Sequence, residues 1–307
     1  MVGDQLSEVF DLVEVHGLLS GGFAGRGPWV ARAVFEDALK FVALVGGRAR
    51  LRADGVDAPI ELGPGDVALL NNRSWLELRG GSGDGPAREI VPEEYDPSTH
   101  LSAAGAGDDV VLGGHIDLNP AGRELLLQAL PPVATVRAAD DPAAGLRVCL
   151  DRLFAEMSGD RIGSAFAIRQ YAQLLILEVL RAYIEQTRLP SGWLRAVTDE
   201  RLRPALSLMH AEPGRPWRLE ELARAAAMSR TSFAERFRTV AGVPPLTYLN
   251  RWRMLLAQRA LRDGGVRIGS LAADLGYASE SAFSTAFKRE VGESPLRYRY
   301  RVSAAPA

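Results

Sequence analysis

Two periods of apolar residues divide this chain. From residue 29 onward, short apolar runs are separated by Gly, Pro and Asp, as in 29–35, 41–45, 60–62, 67–70 and 75–78. In residues 47–53 the pattern alternates cleanly, with Arg48, Arg50 and Arg52 on one face and Ala49, Leu51 and Ala53 on the other. Alternation with a period of two predicts a strand with one buried face, and the unbroken run 41–45 predicts a buried strand. Turns are expected at Asp54 and Gly55 and at residues 63–66, and residues 110–116 return to the sheet. Regular short strands of this kind predict an antiparallel β-barrel or sandwich. Residues 6–20 read as a short helix before Gly21 and Gly22.

After residue 119 the period changes to that of helices. Asn119 is placed to cap a helix with Pro120 in its first turn, burying Leu125, Leu126 and Leu130. Helices over 145–157 and 165–188 follow. The second carries Leu174, Leu175, Leu177 and Leu180 around more than one face, more than packing on the barrel alone requires, so a dimer interface built from these two helices and intramolecular burial are the two readings. Residues 80–86 and 92–109, rich in Gly, Pro, acids and small residues, predict a loop or insertion. Residues 189–192 are the expected interdomain linker. The fold class is therefore α+β in two domains: a β-barrel with following helices over 1–190, and an all-α domain over 191–307. Asp199 is expected to cap a lead-in helix running through His210.

The all-α part contains an internal duplication. Phe233, Phe237, Gly242, Pro245 and Tyr248 recur fifty positions later as Phe283, Phe287, Gly292, Pro295 and Tyr298. Each copy opens with a helical face (Leu219, Leu222, Ala223; Ile268, Leu271, Ala272) and turns near Met228 or Gly276. Ser229 and Ser279 then stand as N-caps of a second helix whose two Phe, four apart, point inward. Helix, tight turn and helix with a buried aromatic pair is the pattern of a helix-turn-helix, which leaves the outer face of the second helix free to enter a major groove.

These residues, with the tail 287–299, resemble the AraC/XylS family of bacterial transcription regulators. The resemblance implies two helix-turn-helix subdomains joined by a linker helix, here about 246–261, reading adjacent major-groove segments. It also implies sequence-specific control of transcription, with activation and RNA polymerase as a partner. On the first recognition helix Arg230, Thr231, Ala234, Glu235 and Arg238 face away from the two Phe. Thr231, Ala234 and Glu235 fall where the family places base contacts: Glu235 can accept from a cytosine amine, and Thr231 or Ala234 can touch a thymine methyl. Arg230 and Arg238 are expected on phosphates, and an intrahelical pair of Glu235 with Arg236 or Arg238 is the competing role. On the second helix Glu280, Ser281, Ala282, Ser284, Thr285 and Lys288 face outward, mostly short side chains suited to positioning.

Charge sharpens this division. Residues 1–195 hold 18 Lys and Arg against 27 Asp and Glu, a net of −9; residues 196–307 hold 18 against 11, a net of +7. A basic, Arg-rich C-terminal part fits phosphate contacts on double-stranded DNA, and an acidic N-terminal part argues against a second nucleic-acid surface. The total of −2 conceals this. No apolar run spans a bilayer and the acidic N-terminus lacks a basic signal region, so a cytoplasmic protein without membrane contact is expected. Cys149, the single cysteine, excludes an internal disulfide.

The N-terminal part is similar to the cupin-type sensor domain of many such regulators, through residues 47–55 and 61–70, Gly114 to Asp117 before Asn119, and Leu130 before Val133. That implies a jelly-roll barrel able to hold a small-molecule effector, for which Trp29, Trp75 and His115 are candidates. Metal-bearing cupins place histidines near the barrel mouth, where this chain offers Val42 and Leu76 and has no His between residues 17 and 99. No metal, cofactor or catalytic residue is expected, and the barrel is read as a sensor or homodimerisation scaffold. The alternatives are a cupin-barrel enzyme, or a redox or ligand sensor acting through Cys149 with DNA binding secondary.

Overall fold

The computed structural model describes residues 5–13, 16–83, 85–91, 93–94, 108–139, 143–159 and 161–303. The chain forms two compact units: Glu14–Arg188, and Met1–Val13 together with Leu189–Ala307. A first helix, α1 (Gln5–Val13), thus groups with the C-terminal helices and not with the strands that follow it.

The strands of the first unit are β1 (His16–Gly25), β2 (Trp29–Val34), β3 (Leu39–Gly46), β4 (Ala49–Ala53), β5 (Ile60–Leu62), β6 (Val67–Asn71), β7 (Trp75–Gly80), β8 (Arg88–Ile90), β9 (Glu93–Glu94), β10 (Asp109–Asp117) and β11 (Val133–Val136). They build one sheet in the order β11-β6-β3-β10-β1-β9 and a second in the order β5-β4-β7-β2-β8. Pairing is antiparallel except between β2 and β8. The sheets enclose one core, to which the first contributes Phe23, Val42, Leu44 and Val111 and the second Trp29, Leu51, Leu76 and Leu78. This is the cupin-like sandwich expected.

The two sequence patterns report which faces are covered. On β4 only Ala49, Leu51 and Ala53 are buried, so the strand alternates. On β3, Val42 and Leu44 enter the core between the sheets, and Leu39, Phe41 and Ala43 are buried on the opposite face. Helices α3 (Ala144–Ser158) and α4 (Ser164–Gln186) pack on the first sheet, which is why the run over 41–45 is continuously apolar. α4 passes so close to β1 that a side chain at Gly17 would collide with the Ala172 carbonyl. Between β10 and β11 runs α2 (Pro120–Ala129), capped by the Asn119 side chain, which accepts from Gly122 N at 2.8 Å.

One expectation fails here: the helix over 6–20 stops at Val13, and His16 to Ser20 belong to β1. Leu18 and Leu19 sit opposite His115 and Gly114 of β10, and this long-range pairing overrides the local pattern. Of the loop expected over 92–109, Val91 is a described flank, Glu93 and Glu94 pair with Gly22 and Gly21, and residues 92 and 95–107 lie outside the described residues.

The second unit continues with α5 (Trp193–Thr198), α6 (Arg203–Ala211), α7 (Leu219–Ala225), α8 (Arg230–Ala241), α9 (Pro245–Asp263), α10 (Ile268–Asp274), α11 (Glu280–Val291) and α12 (Pro295–Ser303). It has two apolar cores and α9 serves both. Tyr248 and Leu249 close the first with Leu206, Leu222, Phe233 and Phe237; Met254, Ala257 and Leu261 close the second with Leu271, Phe283, Phe287 and Tyr298. Asp199 caps a turn ahead of the lead-in helix, accepting from Arg201 N and Leu202 N at 3.1 Å, and α6 itself starts at Arg203. Among the described residues no helix is long and apolar enough to cross a membrane.

Candidate nucleic-acid interface

The duplication is geometric as well as sequential. In the first copy the rings of Phe233 and Phe237 lie 5.6 Å apart and those of Phe237 and Tyr248 5.5 Å; in the second, Phe283 to Phe287 is 5.7 Å and Phe287 to Tyr298 5.6 Å. All four Phe are 0% exposed. α8 and α11 both end on a glycine with positive φ, Gly242 and Gly292, and both begin under a serine hydroxyl. Ser229 Oγ accepts from Ser232 N at 3.2 Å, and Ser279 Oγ from Ala282 N at 3.1 Å. The tight turns match too: Met228 N reaches Ala223 O, and Tyr277 N reaches Ala272 O, both at 2.9 Å. Their left-handed residue is Ala227 in the first copy (φ 51°) and Gly276 in the second (φ 78°).

With both aromatic pairs turned inward, the opposite faces of α8 and α11 are open. Arg230, Thr231, Glu235 and Arg238 are exposed and Ala234 is half-buried beside them. Arg236, the other cation that could pair with Glu235, is directed elsewhere: its Nη2 donates to Asp199 Oδ2 at 2.7 Å and its Nε to Oδ1 at 3.2 Å. Among the described residues neither Glu235 nor Arg238 has an ion-pair partner, so the competing intrahelical pair does not form. Arg230 lies 3.3 Å from Glu220 of α7 in an exposed pair, which water and salt weaken. On α11, Glu280, Ser281, Ala282, Thr285 and Lys288 are exposed and Ser284 is half-buried. The Thr285 hydroxyl donates to Ser281 O at 2.9 Å, which leaves its methyl the more available group. Arg289 of α11 and Arg297 of α12 are further exposed cations of the second copy, paired with Glu290 at 3.1 Å and Glu293 at 3.9 Å.

A polar cluster joins α1, α6 and α9, with His210 and Tyr248 buried and Glu8 partly exposed. His210 stacks on Trp252 at 3.7 Å, its Nδ1 is 2.9 Å from Glu8 Oε2 of α1, and its Nε2 is 3.0 Å from the Tyr248 hydroxyl. Burial holds the His210 pKa below its ordinary value against the opposing pull of Glu8, and burial holds the Tyr248 phenol protonated. A neutral His210 that donates from Nδ1 to Glu8 and accepts the Tyr248 proton at Nε2 satisfies all three groups.

In the sheet unit, the residues suggested for an effector are dispersed. Trp29 is buried, its indole donating to Asp109 Oδ2 at 2.7 Å and its ring edge-on to Phe23. Trp75 is on the outward face of β7, and His115 is half-buried on β10 opposite Lys40. None of the three lines the cavity of about 300 Å³ between the sheets; Val42 and Leu76, the positions compared with metal-bearing cupins, do. Lys40 also lines it, and its signal in the sequence was a lone cation inside an apolar strand. Among the described residues no group of three or more His, Cys, Asp and Glu could hold a metal ion. Cys149 is buried, donates to Tyr171 O at 3.4 Å, and has its pKa pushed up by burial to about 11, the reverse of a reactive thiol.

Comparison with known proteins agrees with both units. A family model described as Cupin matches residues 4–185, and one described as Helix-turn-helix domain matches residues 222–301. An AraC-like transcription regulator of Streptomyces lividans is 36% identical over 299 residues, covering 96% of this chain and 98% of the relative. Another, of Streptomyces antibioticus, is 36% identical over 304 residues with the same coverage. The crystal structure of the DNA-binding domain of AdpA, a global transcriptional factor, in complex with a target DNA is 32% identical. The match covers 34% of this chain and 96% of that one, with a TM-score of 0.33.

Proposed function

The chain belongs to the AraC-like transcription regulators, and on that premise we propose how its surfaces divide the work. It is a DNA-binding regulator of transcription. α8 and α11 enter two successive major-groove segments of one duplex. Thr231, Ala234 and Glu235 read base edges, and Arg230, Arg238 and Lys288 hold phosphates. Glu280, Ser281, Ala282, Ser284 and Thr285 set the position of α11 with little discrimination of their own. The observation that carries this reading is the pairing of enclosed Phe with open outer faces in both copies, with Arg236 withdrawn to Asp199 so that Glu235 is available.

The cupin-type unit acts as an effector-responsive sensor and makes the protein a homodimer through α3 and α4. Support for the contact comes from Val148 of α3 and Leu174 of α4, which are 60% and 49% exposed. Activation through contact with RNA polymerase is the family's expectation carried to this chain. Catalysis has no part in the scheme, in keeping with relatives that are named as regulators.

Hydroxyl-radical footprinting of the full chain on a selected duplex tests the groove assignment. Two protected segments per protomer, about one helical turn apart, are expected. A single short protected segment would refute the use of both copies. Sedimentation of the full chain as a monomer at high concentration would remove the dimer.

A further inference from the structure

The cavity between the sheets has apolar walls and one charged end. Phe23, Val42, Leu76, Leu78 and Val111 surround it, and the glycines on β1 and β10 add no side chain to the wall. Arg32 borders it through β2, but its guanidinium is held by Glu77 at 2.8 Å and Glu89 at 3.1 Å on the outer face. Lys40 differs. It lies two residues from Val42 on β3 and so shares the inward face, and its side chain is only 12% exposed. Its ammonium has two neutral partners, Ser20 Oγ at 3.2 Å and the Phe35 ring at 5.2 Å from its centroid, while Asp37 stands at 4.0 Å, the outer limit of an ion pair.

A mostly buried ammonium that lacks a close counter-charge is costly, and a carboxylate placed beside it supplies a charge-assisted hydrogen bond. Ser20 can donate to the same carboxylate. We infer that this cavity is an effector site for an organic acid with an apolar body, its carboxylate on Lys40 and Ser20 and its chain among Phe23, Leu76, Leu78 and Val111. The inference rests on reading the cupin-type unit as the sensor and names the chemistry it senses. Taking the roughly 30 Å³ that a water occupies in the liquid as the share of one heavy atom, about 300 Å³ admits about ten such atoms. That is the size of octanoate.

The test is calorimetric titration of the full chain with octanoate, octanol and octylamine, repeated on Lys40→Met and Lys40→Arg, with duplex affinity measured with and without saturating octanoate. Octanoate is expected to bind at least tenfold more tightly than octanol, and octylamine more weakly than either. Lys40→Met should erase the preference for the acid and keep octanol binding, which also shows that the cavity is still formed; Lys40→Arg should restore the preference. Equal binding of octanoate to wild type and Lys40→Met, or no preference for the acid over the alcohol, overturns the proposal. Lys40-dependent binding that leaves duplex affinity unchanged upholds the site and refutes the sensor reading alone.

Discussion

Asp199, in the loop before α6, accepts from Nε and Nη2 of Arg236 on α8, at 3.2 and 2.7 Å, while also capping its own turn. One carboxylate therefore fixes the lead-in segment to the first recognition helix and removes a cation from the neighbourhood of Glu235. Replacing Asp199 by Ala should destabilise the helical unit by about 1.5–3 kcal/mol, the range for hydrogen bonds to charged groups. Urea unfolding of the two single variants and of the Asp199→Ala/Arg236→Ala double variant checks this. The double variant should lose less than the sum, because the singles share one interaction.

The proposed division of contacts has Glu235 reading a base and Arg238 holding a phosphate. Glu235→Ala should change which base is preferred at its position, by about 1–3 kcal/mol of discrimination. Arg238→Ala should weaken every site together and reduce the salt slope by about one. Anisotropy titrations on a panel of single-base variants at several salt concentrations measure both. Unchanged preference in Glu235→Ala would mean that Glu235 does not read a base.

The two turns offer a paired backbone test. Ala227 holds a positive φ of 51° where the second copy has Gly276 at 78°. A left-handed residue with a Cβ costs about 1–2 kcal/mol, partly offset by the extra freedom of glycine in the unfolded chain. Ala227→Gly should therefore raise stability by up to about 1 kcal/mol. Gly276→Ala should lower it by more, since its Cβ would also strike the Gly214 carbonyl. Thermal unfolding of the two variants should move in opposite directions.

His210 gives the helical unit a stability that depends on pH. Its folded pKa lies below the ordinary 6.5, so the unfolded chain binds the proton more readily. Its contribution is complete above about pH 6.5 and is lost as pH falls toward the folded pKa. The urea midpoint of the wild type should drop between pH 7.5 and 5.5, and His210→Gln should flatten that drop. An equal slope in the variant would assign the dependence to other groups.

Most of the helical unit was legible because its signals are local. The fifty-residue offset of Phe, Gly, Pro and Tyr reports packing within each copy, and Ser229 and Ser279 cap helices a few residues away. Strand positions from β2 to β7 and at β10 were legible for the same reason, since alternation reports burial face by face. What escaped depends on contacts distant in sequence. β1 is a strand because it pairs with β10, almost a hundred residues on, and α1 stands with the helical unit through Glu8 and His210, 202 positions apart. The cavity is formed by five strands at once, so Lys40 could be noticed only as an anomaly, and Trp29, Trp75 and His115, chosen by residue type, lie off its wall.

The central claim is that two Phe-braced recognition helices read one duplex at two places. Selection of bound duplexes from a random pool by the purified full chain, followed by sequencing, tests it most directly. Two enriched blocks with centres about 10 bp apart are expected, with base preference stronger in the block contacted by α8. One enriched block alone, or no enrichment over competitor at low ionic strength, would contradict it.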